Sequence, residues 1–74
     1  MTLDNRPELT GQLIEFYCEW RMRCEEVRAT YSRLDSAPKA QRPLAFAAFH
    51  AALDREQSAA DAYARQIRRL ALAA

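Results

Sequence analysis

The chain reads as an all-α protein, an antiparallel two-helix hairpin that dimerises into a four-helix bundle. Three observations predict this. Large residues recur in the first half as Leu13, Tyr17, Trp20, Cys24, Val27, Tyr31 and Leu34, at spacings that alternate four and three. That is the rhythm of a helix packed on another helix. The second half repeats it with Phe46, Phe49, Leu53, Glu56, Ala60, Tyr63, Ile67 and Leu70. Between the two runs lies Ser36-Ala37-Pro38-Lys39-Ala40-Gln41-Arg42-Pro43, whose prolines interrupt helical hydrogen bonding.

The first helix is expected over residues 7–34. Asn5 suits its N-cap, with Pro7 in the first turn and Glu8 at capping-box spacing. Leu3 and Leu9 can clip the entry from outside. Gly11 costs this helix about 1 kcal/mol near its start. Residues 35–42 form the loop, because Pro38 biases Ala37 away from the α region; Ser36 can cap a short turn within it. The second helix is expected over 43–72, with Pro43 in its first turn, where a missing N–H does no harm. Arg65, Arg68 and Arg69 lie near its end, the favourable end of the helix dipole for cations. Long helices joined by a short loop pack antiparallel. Residues whose numbers sum to about 80 then face each other: Tyr31 and Phe49, Val27 and Leu53, Trp20 and Ala60, Tyr17 and Tyr63. Cys24 faces Glu56, the charged residue of the seam.

Seventy-four residues allow one domain, here 1–74. A single glycine and 50% hydrophobic residues argue against a disordered tail. A net charge of +1 supplies no global field toward nucleic acid or an acidic membrane. Asp4, Arg6, Glu8 and Glu15 are not the pattern of a secretory leader, and no apolar run approaches the ~20 residues of a membrane span. The expected setting is cytoplasmic, with no membrane partner. Cys18 and Cys24, six apart on one helix, are separated by about 9 Å of rise, too far for a disulfide. Free thiols fit a reducing compartment; a Cys18–Cys18 bridge between subunits is the lesser alternative.

A single seam buries too little apolar surface to order a chain of this length. Further apolar residues lie outside it. Leu9 and Phe16 flank the first helix on one side and Ile14 on the other, while Cys18 and Met22 fall on its outer face. Ala45, Ala48, Ala52, Ala59 and Ala62 form a small-residue stripe that lets two helix backbones approach. These residues are the expected dimer or partner surface, and a homodimer of hairpins follows.

Reactive groups are sparse. Glu56 on the seam is read as a register- or partner-specifying charge met by Arg23, Arg28 or an arginine of a second subunit, or as a side chain reaching out at the seam's edge; a catalytic carboxylate is the least favoured reading. His50 can bond Asp54 one turn away. Cys18, Cys24 and His50 lack a metal spacing, and no Gly-rich phosphate loop exists. No enzyme activity, cofactor or metal is therefore expected. Helix-surface arginines alternate with glutamates, so nucleic acid is the lesser expectation, resting on Arg65, Arg68 and Arg69.

The stretches Glu19-Trp20-Arg21-Met22-Arg23-Cys24-Glu25-Glu26-Val27 and Ala51-Ala52-Leu53-Asp54-Arg55-Glu56-Gln57-Ser58-Ala59-Ala60 resemble short dimeric helical-hairpin proteins of phages and GC-rich bacteria. The anti-quorum-sensing family of phages belongs to that group in size, layout and heptad style. The resemblance covers most of the chain. It implies a dimer that binds and blocks host regulators, such as a LuxR-type transcription activator or a pilus-assembly ATPase. The expectation is thus a small inhibitor or adaptor acting on a larger protein such as a transcription regulator. The alternative is a small DNA-binding regulator using the C-terminal arginines.

Overall fold

The computed structural model describes residues 6–73. Helix α1 spans Arg6–Ser36, a 3₁₀ turn occupies Lys39–Gln41, and helix α2 spans Arg42–Ala73. The two helices pack against each other as a hairpin about 64 Å long and 13 Å across. Each helix extends a residue or two beyond its expected bounds. The proposed N-cap at Asn5 and the clip from Leu3 lie outside the described residues.

The turn is set locally. The Ala37 N–H reaches the Leu34 carbonyl at 3.3 Å, closing the last turn of α1. Pro38 then takes extended geometry, φ −60° and ψ 152°, and the Gln41 N–H bonds its carbonyl at 2.8 Å. The short turn expected here is present, but Ser36 does not cap it. Its hydroxyl donates backwards to the Ser32 carbonyl at 3.0 Å and so extends α1. Pro43 sits second in α2, where no intrahelical N–H is needed.

The expected register holds at two positions. Tyr31 packs on Phe49 with ring centroids 5.7 Å apart, and Tyr17 on Tyr63 at 5.6 Å. Trp20 departs from it. Its ring stacks on Tyr63 at 5.9 Å, and its indole N–H donates to Glu56 Oε2 at 2.8 Å.

The seam differs from the sequence expectation by one row on each helix. Buried and half-buried positions on α1 form the rows Leu13, Trp20, Val27, Leu34 and Leu9, Phe16, Arg23, Thr30. On α2 they form Phe49, Glu56, Tyr63, Leu70 and Ala45, Ala52, Ala59, Gln66. Of the other expected seam residues, Cys24 and Ala60 are half-buried, while the larger ones are exposed: Tyr17 is 43% exposed, Tyr31 57%, Phe46 55%, Leu53 37% and Ile67 45%. Ala52 and Ala59, expected on a surface for another molecule, are instead buried by α1. The reason is steric. Alanines at seven-residue spacing let the helix backbones close up, and bulky side chains are then displaced to the flank.

Among the described residues, the buried positions are Ala52, Ala59, Thr30 and Gln66, and the largest fully buried side chain is Gln66. Its amide is fully engaged. Nε2 donates to the Leu9 carbonyl and to Gln12 Oε1, both at 3.1 Å, and Oε1 accepts from Arg69 Nη1 at 3.2 Å. Thr30 bonds back to the Glu26 and Val27 carbonyls. A polar group satisfied across a helix seam specifies register at some cost in stability.

Candidate functional site

Packing by these rows gives the hairpin two unlike sides. In an antiparallel pair, the rows four residues beyond the large seam rows share one side. They are Tyr17, Cys24, Tyr31 on α1 and Phe46, Leu53, Ala60, Ile67 on α2. This side is apolar along its length, and its largest residues are exposed. Exposed Ile14, Arg21 and Arg28 border it on α1, and His50 and Gln57 on α2. His50 Nδ1 lies 3.9 Å from Asp54 Oδ2, beyond hydrogen-bond distance, with both side chains exposed.

The opposite side is charged. Arg23 is its centre: Nε donates to Glu19 Oε2 at 2.7 Å and Nη1 to Glu26 Oε1 at 2.6 Å. These bonds, that of Glu26 foremost and then that of Glu19, raise the guanidinium's pKa further. Arg55 of α2 reaches Glu26 across the helices at 3.8 Å. Beside this cluster runs a shallow groove of about 350 Å³, lined by Phe16, Glu19, Arg23, Arg55, Ala59 and Ala62 among others. Nearer the turn, Thr30, Arg33, Ala37, Pro38, Leu44 and Ala48 help line another of about 370 Å³.

The residues expected to form a partner surface are dispersed by this geometry. Leu9, Phe16 and Ala45 are half-buried in the seam, and Ala52 and Ala59 are buried in it. Ala62 is half-buried beside the charged groove, and Ala48 is exposed. Ile14, Cys18 and Met22 are exposed, but they wind diagonally around α1, and Ile14 alone of the three borders the apolar side. Glu56 meets neither Arg23 nor Arg28; its partner is the indole of Trp20. Arg23 is committed to its own helix. Arg65, Arg68 and Arg69 are exposed at the far end of α2.

Tyr17, Tyr31, Phe46, Leu53 and Ile67 were therefore expected in the seam and stand on the surface. The signal that separates the two assignments is the repeat Ala45, Ala52, Ala59, seven apart, which marks the row of closest approach.

Both cysteines are unbridged, Cys18 exposed and Cys24 half-buried. Among the described residues, no three of His, Cys, Asp and Glu converge as metal ligands. Every buried side-chain nitrogen or oxygen there has a hydrogen-bond partner. No described helix is long and apolar enough to cross a membrane. Comparison with protein-family models, with curated proteins and with solved structures gives no match. The class defined by fold and surface is a two-helix hairpin with one apolar and one charged side.

Proposed function

We propose that this chain is a small non-enzymatic interaction protein, an inhibitor or adaptor that works as a dimer in the cytoplasm and occupies a surface on a larger protein such as a transcription regulator. The observation that carries this reading is the uncovered apolar side of a hairpin in which, among the described residues, the large apolar side chains of the seam are half-buried and only alanines are buried hydrophobics. An exposed contiguous apolar strip rimmed by polar residues is the mark of an association surface. The charged side, with its grooves, offers a second surface where a different molecule can make a polar, hydrated contact. Steric blocking needs nothing more. It asks for a rigid shape and complementary charge, and the paired helices supply the first.

The test is affinity capture from host extract, with the bound material quantified against the bait. One host protein should be retained in a fixed ratio and released when Arg23 and Arg55 are both replaced by glutamate. Background proteins alone would overturn the reading. A low-salt DNA gel shift abolished by replacing Arg65, Arg68 and Arg69 would shift it to the nucleic-acid alternative, which the exposure of those three side chains keeps open.

A further inference from the structure

We infer that the apolar side formed by Tyr17, Cys24, Tyr31, Phe46, Leu53 and Ile67 is the docking face for a second copy of this chain, closing a four-helix bundle. This builds on the dimeric working form proposed above and adds the face that closes it.

Area is the first argument. The chain exposes 5763 Å². A compact monomer of 8.5 kDa exposes roughly 4,700 Å², so the surplus is about 1,100 Å². A standard protein interface covers about 800 Å² on each partner. One face-to-face contact along a 64 Å hairpin is therefore of the size the surplus calls for.

Composition is the second. The two rows carry five aromatic or large aliphatic side chains, Tyr17, Tyr31, Phe46, Leu53 and Ile67, with Cys24 and Ala60 between them. Charged residues are absent from the rows and appear on their border as Arg21 and Arg28. An apolar centre with a polar rim is the anatomy of a homodimer contact. A two-fold interface also requires one patch to complement itself, and an uncharged strip does so without pairing like charges.

The opposite side is unsuited to that role. Covering Glu19, Arg23, Glu26 and Arg55 would desolvate a cluster whose ion pairs are already satisfied within the hairpin. In the bundle inferred here both copies keep that side in solvent.

Sedimentation equilibrium on the full chain is the experiment, joined to thermal unfolding followed by circular dichroism at several concentrations. The chain should sediment at twice its 8.5 kDa mass, with a midpoint that rises with concentration. Leu53→Glu and Ile67→Glu should each weaken self-association by about 100-fold or more, since each would bury a carboxylate in an apolar contact. Met22→Glu, exposed elsewhere, should leave it unchanged. A variant that loses helicity at low concentration and regains it at high concentration also supports the inference, because folding is then tied to the same contact. A dimer that survives both glutamates overturns the assigned face while leaving the dimeric reading intact. A helical wild-type monomer with a concentration-independent midpoint overturns both.

Discussion

Gly11 stands in the interior of α1 with its surroundings open, for a Cβ built there meets nothing within 4 Å. Glycine loses more backbone freedom on folding than alanine does. Gly11→Ala should therefore stabilise the fold by about 0.5–1 kcal/mol, read as a higher urea midpoint at unchanged slope. Glu56 is the opposite case, a charged residue the fold uses. Its carboxylate receives the Trp20 N–H at 2.8 Å in a half-buried site, where a charged acceptor makes the stronger hydrogen bond. Glu56→Ala should cost about 1–2 kcal/mol in the same assay, and Glu56→Gln, which keeps an acceptor, should cost less than half as much. A Glu56→Ala variant as stable as the parent would show that water replaces the carboxylate without loss.

Between the two helices, alanines set the spacing. Ala52 is fully buried and Ala59 nearly so, whereas Ala48, one turn from Ala52 on the same helix, is exposed. Ala52→Leu adds three carbons where the helices meet and should destabilise the hairpin by about 1–3 kcal/mol. Ala48→Leu should change the thermal midpoint little, which makes the pair of variants a direct reading of which alanine row is the seam. The sequence made much of this scale legible. Both helices, the turn at Pro38 and the Tyr17–Tyr63 and Tyr31–Phe49 layers follow from heptad spacing and proline chemistry. The rotation of the seam did not. On α2 the apolar arc spans adjacent rows that begin at Ala45, Phe46 and Phe49. Ranking by side-chain size selects the row of Phe46, Leu53 and Ile67. Packing selects the row of Ala45, Ala52 and Ala59, because there the backbones can come closest. The alanine stripe was thus recognised as a site of close approach, but the helix it admits is α1.

At the scale of the molecule, that choice of row determines what is left for others. With alanines and polar residues in the seam, the hairpin places its small side chains inside and leaves nine large apolar ones exposed among the described residues, five of them on the apolar side. The concentration dependence of unfolding and the glutamate variants at Leu53 and Ile67 test whether a second copy covers them. The candidate surface was only partly legible in advance. Ile14 was expected on a dimer or partner surface and borders this one, while the main residues of this side were assigned to the interior. By itself the sequence determined the helical class, the hairpin connection, the approximate register and the surplus of apolar residues, because periodicity and turn chemistry are local properties of the chain. The tertiary structure alone decided which face of each helix meets the other, that Trp20 rather than an arginine satisfies Glu56, and that the hairpin has an apolar and a charged side. Those outcomes depend on how closely two backbones can pack, and this is settled by both helices together rather than by either one.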